Sequence, residues 1–215
     1  MTIRFLGLKV VNVKMTDQKN ILSIHAKATS IGSIASDMDN IYISEYKSDY
    51  LPDMYSKSIK QKNYFENRKT IFDREIMRAF RESRISSDRN LQYDIFPESR
   101  DFFSALYYIR FYWQDNELLY LDADGTSWLA ECKFTGDEII KTRWGKIKTA
   151  RLEVEFSKIN SDRAQRSDML TNNLVNEDNL LVLWISRDKN RLPLKAKYSM
   201  KPISVYWILE DYDEN

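Results

Sequence analysis

Alternation of apolar and polar side chains with a period of two is the feature of this sequence that most constrains its fold. Apolar residues take every second position from Leu22 to Ala28, from Leu152 to Phe156 and from Leu194 to Met200. Such a period buries one side of each segment and leaves the other side in water, as in antiparallel strands. The same alternation is found at 91–95 and 205–209.

Turn residues separate these segments. Asp124-Gly125, Thr135-Gly136-Asp137, Trp144-Gly145 and Asp188-Lys189-Asn190 each favour a tight turn. About a dozen strands in one meander predict a mainly β fold, in which a large antiparallel sheet is curled into a barrel or half-barrel so that few edges stay exposed. The expected strands lie at 3–15, 22–28, 40–48, 53–62, 68–75, 76–84, 90–96, 117–123, 127–134, 137–144, 151–156, 180–185, 194–201 and 205–209.

One aromatic segment departs from this pattern and predicts a short buried helix over about 100–113, between two strand meanders. Asp101 is suited to the N-cap, and apolar side chains cover nearly the whole circumference that follows. The helix is either a structural plug against the concave face of the sheet or a lid over an apolar cavity. The wall of such a cavity would include Phe102, Phe103, Leu106, Tyr107, Ile109 and Trp113, together with Trp184 from a later strand.

Residues capable of catalysis are scarce. With one histidine, His25, and one cysteine, Cys132, a Cys/His zinc site cannot be assembled within one chain, and a Ser-His-Asp arrangement would depend on His25. His25 falls on the polar side of its strand, whereas Cys132 is in phase with apolar neighbours and is expected to be buried. We therefore predict no metal and no cofactor. Paired carboxylates remain the open catalytic option, with candidates Asp94, Glu98, Asp122 and Asp124.

The charge balance is close to neutral, with 33 Lys and Arg against 32 Asp and Glu. No overall field attracts nucleic acid, so we expect no nucleic-acid partner. No stretch reaches the roughly 18 apolar residues of a transmembrane segment, and no export signal is recognised in the chain as given. The 215 residues contain no linker-like segment, which predicts a single β domain over 1–215.

Three segments, Asp101–Arg110, Thr142–Lys148 and Trp184–Pro193, carry a family likeness in their order and spacing. They resemble a bacterial envelope family catalogued as domain-of-unknown-function family 3108. The chain departs from that pattern at Phe102, where the family often has Pro, and at Val11-Asn12, where it often has a second Gly. The resemblance implies an exported, mainly β protein of the periplasm or envelope with no established activity. A fold-level analogy links such proteins to half-barrel lipoprotein carriers.

Two functions from different classes stay open. The first is a non-enzymatic envelope protein that binds a hydrophobic, lipid-like ligand between the curved sheet and the helix. The alternative is a structural or assembly scaffold with a solid core, which binds an envelope protein through its edge strands or through the segment 157–178. A carboxylate-based hydrolase is a distant third.

Overall fold

The computed structural model describes residues 1–35, 37–85, 89–160, 168–200 and 203–213. Within these ranges the first eight strands are β1 (Thr2–Phe5), β2 (Leu8–Gln18), β3 (Ile21–Ala28), β4 (Met38–Tyr46), β5 (Pro52–Gln61), β6 (Tyr64–Asp73), β7 (Arg78–Ser83) and β8 (Leu91–Asp94). The other seven are β9 (Arg100–Asp101), β10 (Glu117–Ala123), β11 (Thr126–Thr142), β12 (Gly145–Lys158), β13 (Leu180–Ser186), β14 (Pro193–Met200) and β15 (Ile203–Ile208). Three α-helices accompany them: α1 (Gly32–Ala35), α2 (Phe102–Tyr112) and α3 (Met169–Leu174).

All fifteen of these strands belong to one curled sheet, as the alternation of the sequence predicts. The order along the sheet runs from β8 down to β1 and then from β15 down to β9. The first strand therefore pairs with the last one, in the middle of the sheet. Neighbours are antiparallel, except that the two-residue β9 lies parallel to β10. The two ends of the sheet, β8 and β9, are neighbours in sequence and are separated by residues 95–99 only.

Helix α2 lies against the inner face of the sheet, and it is the aromatic helix that the sequence predicts. Phe103 contacts Tyr42 of β4, with ring centroids 4.8 Å apart. On another side, Phe102 and Ile109 pack with apolar residues of the second meander, among them Val154 of β12. The helix thus fills the space between the two halves of the sheet, and Phe103 is only 1% exposed. Nearly all-round apolarity is what this position requires.

Both ends of α2 are fixed by polar contacts. The Asp101 carboxylate accepts the backbone N–H groups of Phe103 and Ser104, both at 3.0 Å, and the Ser44 hydroxyl at 2.7 Å. It therefore caps the helix and joins it to β4. At the other end, the Arg110 guanidinium donates to the backbone carbonyls of the turn between β13 and β14, at 2.8 and 2.9 Å. That turn covers the last residues of the helix.

Two expectations about turns are wrong. Segment 3–15 is not one strand, because Leu6 and Gly7 take positive φ values of 50° and 81° and form the turn between β1 and β2. Thr135-Gly136-Asp137 is not a turn, because β11 continues through it as one strand of 17 residues. The pairing with β12 shifts register between Phe134 and Gly136. Gly136, at φ 136°, absorbs a bulge there rather than a reversal.

Candidate functional site

Most of the residues expected to form a ligand wall lie in packed surroundings. Phe102, Phe103 and Ile109 are at most 4% exposed. The void that Leu106 shares with Phe102 and Ile109 measures about 10 Å³, enough for one water at most. The apolar wall stays a prediction, but the gap between α2 and the sheet at this place is filled.

The remaining wall residues are held by specific contacts. Trp184 donates its indole N–H to Glu138 at 2.6 Å and is 7% exposed. The Trp113 ring stacks on Phe134 at 5.4 Å. Tyr107 differs from these residues because it borders open space at the end of the helix.

That open space is a cleft of about 820 Å³ at the end of the sheet where α2 ends. Its walls are the last part of β2, the end of α2, the turn between β13 and β14, and the segment after β15. We call it the end cleft. Its apolar lining includes Met15, Tyr107, Phe111, Leu192 and Leu209, and its charged lining includes Lys14, Asp17, Lys189, Asp211 and Asp213.

Hydrogen bonds and ring contacts hold the floor of the end cleft in place. The Asp17 carboxylate accepts the hydroxyl groups of Tyr46, at 2.5 Å, and of Tyr50, at 2.8 Å. Burial and the bond to Asp17 raise the pKa of both tyrosines above the ordinary value, so both stay neutral donors. The Tyr50 ring also stacks on Phe111 of α2, with centroids 5.8 Å apart. The cleft is therefore a preformed feature bounded by fixed side chains.

One side of the end cleft is an unpaired strand edge. Val13 of β2 exchanges both backbone hydrogen bonds with Met1, at 2.9 and 2.7 Å. Beyond Val13, β2 continues to Gln18 with β3 as its partner on the other side only. Because alternate residues face the same side of a strand, Met15 and Asp17 turn their N–H and C=O groups toward the cleft. Within the described ranges, these backbone groups have no hydrogen-bond partner.

A second group of polar residues is buried inside the sheet, and the sequence reasoning missed most of it. The Lys57 ammonium of β5 lies 2.7 Å from Glu66 of β6, 2.6 Å from Asp124 and 3.2 Å from Asp168. Arg68 lies 3.1 Å from Glu66. None of these five side chains, which we call the Lys57 cluster, is more than 7% exposed.

The Lys57 cluster joins distant parts of the chain. Asp124 belongs to the turn between β10 and β11, and Asp168 is the N-cap of α3, where it accepts the backbone N–H groups of Leu170 and Thr171. Asp168 also accepts the hydroxyl of Tyr42 at 2.7 Å. The cluster thus ties strands of the first meander to a turn and a helix of the second half.

Electrostatics in the Lys57 cluster favours the charged lysine. Burial lowers the pKa of Lys57, but the carboxylates of Asp124, Asp168 and Glu66 outweigh it and hold this pKa above the ordinary value. Burial likewise raises the pKa of Asp168, yet Lys57 and the hydrogen bonds bring it below the ordinary value. For Glu66 burial prevails, and its pKa is raised. The cluster is closed to solvent, so it offers a substrate no access in this structure.

A signal for the cluster exists in the sequence. Lys57 is in phase with Tyr55 and Ile59 along β5, and Glu66 and Arg68 are in phase with Phe72 along β6. Charged residues of opposite sign in the apolar phase of consecutive strands indicate a buried ion pair.

The sequence-based candidates for acid chemistry divide into two exposed residues, Asp94 and Glu98, and two buried ones, Asp122 and Asp124. Asp94 is 88% exposed and pairs with Arg78, and Glu98 is also exposed. Asp122 is buried, accepts the N–H of Gly125 at 3.1 Å, and has its pKa raised by burial to about 6. Cys132 is fully buried, and burial raises its pKa to about 12. In the described part of the chain these carboxylates do not meet at a common cleft.

Comparison with known proteins gives the family. The sequence matches the family described as "Protein of unknown function (DUF3108)" over residues 1–202. The chain belongs to this family. The resemblance carried by the three sequence segments is thereby confirmed. No curated protein matches this DUF3108 member.

A solved structure supports the fold of the DUF3108 chain. The beta-barrel-like protein of domain of unknown function DUF1849 from Brucella abortus superposes with a TM-score of 0.55 and 6% identity. The match covers 97% of this chain and 95% of that one. At such low identity the likeness shows the fold alone. Across the described residues of the DUF3108 chain, no helix has both the length and the apolar character needed to cross a membrane.

Proposed function

We propose that this DUF3108 protein is a non-catalytic binding protein of the cell envelope, and that its ligand occupies the end cleft. The observation that carries this proposal is the contrast between two spaces beside α2. The gap between helix and sheet is about 10 Å³, whereas the end cleft measures about 820 Å³. Ligand sites are commonly clefts of about 300 to 1,000 Å³. The envelope location is part of the proposal and is supported by the family resemblance.

The chemistry of the end cleft supports binding rather than reaction. Aromatic and aliphatic side chains such as Phe111 and Leu209 supply apolar surface, and charged side chains of both signs line the same cleft. Of the three aspartates that line it, Asp17 is engaged by two tyrosine hydroxyls. A preformed cleft that combines apolar side chains with polar and charged ones can orient and hold a ligand without changing it.

The site differs in position from the wall expected from the sequence. Of the seven residues in that wall, Tyr107 lines the end cleft. The others would support the site indirectly, because they fix α2 against the sheet and so set where its last turn lies. A lipid-like molecule remains one candidate ligand.

The experiment is native mass spectrometry of the protein purified from its own host, with two tryptophan variants. Leu209→Trp adds bulk inside the cleft, while the Leu209 backbone N–H can still donate to Leu194. Phe65→Trp is the matched control, because Phe65 is 58% exposed on β6 and lies outside the cleft. We expect a bound species on the wild type and on Phe65→Trp, and its loss from Leu209→Trp. An adduct that survives in Leu209→Trp, or that is absent from all three proteins, contradicts the proposal.

A further inference from the structure

We propose that the end of the hairpin formed by β11 and β12, residues 139–148, binds the surface of an anionic lipid membrane. Trp144 would enter the headgroup layer, and Lys141 and Lys146 would contact lipid phosphates. We call these ten residues the hairpin tip. The inference goes beyond the proposed function, because it concerns a different surface and holds whether or not a ligand occupies the end cleft.

The hairpin tip extends beyond the neighbouring strands of the sheet. β10 pairs with β11 only as far as Cys132, and β13 pairs with β12 only from Thr149 onward. The ladder between β11 and β12 continues past both limits, to Thr142 and Gly145. The register shift at Gly136 lies at the base of this extension, and a bulge of this kind bends its strand. Within the described residues, the tip is thus a two-stranded ribbon with no further strand on either side.

The hairpin tip concentrates positive charge in a chain whose net charge is only +1. It contains Lys141, Arg143, Lys146 and Lys148 and no Asp or Glu. Lys148 pairs at 2.9 Å with Asp137, which lies just outside the tip. Among the residues that the structure describes, Lys141 and Lys146 have no ion-pair partner. These two charges are therefore available to an anionic partner.

Lys141 and Lys146 lie directly opposite each other in the ladder. Opposite residues have Cβ atoms about 5 Å apart on the same face, where like charges destabilise a sheet. Both side chains are exposed, so packing does not compensate this repulsion. A sequence that breaks a local rule in this way commonly does so at a functional site. An anionic group that binds both ammonium groups would remove the repulsion.

Exposed apolar side chains accompany these lysines. Ile139 is 70% exposed on the same face of the ribbon, and Trp144 in the turn is 41% exposed although its ring contacts Tyr212, with centroids 5.6 Å apart. Tyr212 lies between Asp211 and Asp213, and neither carboxylate forms an ion pair with a described residue of the tip. Tryptophan is enriched at membrane interfaces, because its ring is apolar and its N–H is polar. Buried apolar area and attraction to anionic headgroups together determine how strongly a protein binds a membrane surface.

The size of the hairpin tip favours a lipid surface over other anionic partners. A standard protein interface takes about 800 Å² and roughly 20 to 30 residues on each side. The ten residues of the tip provide much less. A nucleic acid would use the cations but would leave Ile139 in water. A lipid surface accepts a few inserted side chains and presents phosphates around them.

The charge contribution is tested by sedimentation with large vesicles of phosphatidylcholine, either alone or mixed in equal parts with phosphatidylglycerol. The tip variant carries Lys141→Gln and Lys146→Gln. The matched control carries Lys60→Gln and Lys62→Gln, which remove the same charge from the exposed end of the hairpin formed by β5 and β6. Each lysine near an anionic surface contributes about fivefold in affinity. We expect the tip variant to bind the mixed vesicles about 25-fold more weakly, and the control to bind within about threefold of the wild type.

The wild type should bind the mixed vesicles and not those of phosphatidylcholine alone. Salt should release it, since the Debye length falls to about 3 Å at about 1 M. Removal of the opposed lysines should leave the free energy of unfolding in urea unchanged or raised, so the loss of binding reports the surface and not the fold. Equal binding to both kinds of vesicle, unchanged binding of the tip variant, or an equally large loss in the control would overturn the proposal.

The apolar contribution is tested on the bound protein with brominated lipids, which quench nearby tryptophans. The other four tryptophans are buried or half-buried, so we expect quenching in the wild type and its loss in Trp144→Phe. Ile139→Ser should bind the mixed vesicles about fivefold more weakly, whereas Ile34→Ser, at an 88% exposed residue of α1, should bind as the wild type does. Quenching that persists in Trp144→Phe, or that is absent from the bound wild type, would contradict insertion of the tip.

A DNA duplex, titrated by fluorescence anisotropy, distinguishes nucleic acid from lipid. We expect no binding of the duplex at the salt concentration at which the mixed vesicles bind. A duplex that binds the wild type but not the Lys141→Gln, Lys146→Gln variant, together with no binding to anionic vesicles, would assign the tip to nucleic acid and refute the membrane proposal.

Discussion

Removal of the Lys57 ammonium is the sharpest perturbation of the fold. In Lys57→Met the side chain keeps a similar length, but the contacts to Glu66, Asp124 and Asp168, at 2.6 to 3.2 Å, are lost. Three buried carboxylates would then remain, with Arg68 close to two of them, at 3.1 Å from Glu66 and 3.7 Å from Asp124. Removing one partner of a buried ion pair costs about 3 to 5 kcal/mol. Total stabilities of about 5 to 15 kcal/mol make this a large part of the free energy of unfolding.

The loss in Lys57→Met should depend on pH with a definite sign. Lys57 lowers the pKa of Glu66 and of Asp168, so its removal raises both folded-state values. A carboxyl group whose pKa is higher in the folded than in the unfolded state contributes to the stability of the fold below its unfolded pKa. This contribution is lost as the pH rises through the folded pKa. The variant should therefore be closest to the wild type near pH 5 and furthest from it above pH 7. In the wild type, the lowered pKa of Asp168 has the opposite effect, a stability that is lost as the pH falls through that value.

Urea unfolding, followed by tryptophan fluorescence at pH 5 and pH 7.5, measures both effects. Lys27→Met is the matched control, since Lys27 is 64% exposed and lies 3.7 Å from Asp39 on the outer side of the sheet. We expect the control to stay within about 0.5 kcal/mol of the wild type at both pH values. A Lys57→Met protein as stable as the wild type, or one with a loss independent of pH, would refute the reasoning.

Three further predictions concern single buried groups. Burial raises the pKa of Asp122 from 3.8 to about 6, so the free energy of unfolding of the wild type should fall by roughly 3 kcal/mol between pH 4 and pH 7. In urea titrations, Asp122→Asn should lack this dependence of stability on pH. Asp101→Ala should cost about 2 kcal/mol by removing the cap of α2 and the bond to Ser44, and Asp101→Asn less, in thermal or urea unfolding. Cys132, fully buried with its pKa raised by burial to about 12, should react with a thiol reagent only in denaturant, and fast labelling of the native protein would contradict its position.

Much of the fold follows from local sequence patterns because each strand carries its own period. β12 and β14 have one apolar and one polar side, so their existence and their buried faces are readable without any partner. The helix is equally local, since Asp101 caps a segment with apolar residues all round. Turn chemistry is less decisive. A glycine such as Gly136 permits a bulge as readily as a reversal, and the pairing with β12 determines which one forms.

The end cleft could not be predicted because it depends on long-range pairing. Its walls come from β2, α2, the turn between β13 and β14 and the segment after β15, which lie far apart in sequence. The local pattern of β2 does not indicate that, among the described residues, those from Met15 onward have a neighbouring strand on one side only. The sequence predicts the helix and its apolar residues, but the open space lies beyond the end of the helix and not along it.

The ends of the sheet are joined by side chains instead of a strand ladder. Arg81 of β7 donates to the Asp124 carbonyl at 2.9 Å, and Phe96 stacks on Tyr120 of β10 at 4.4 Å. Together with the Lys57 cluster, these contacts connect the first meander to the turn after β10. A ladder of backbone hydrogen bonds between β8 and β9 would require both strands to be long and in register. Side-chain contacts need only a few residues on each side. Closure of the sheet and the end cleft are thus separate features of this fold, because buried charged and aromatic side chains join the two ends of the sheet whereas the cleft lies where α2 ends.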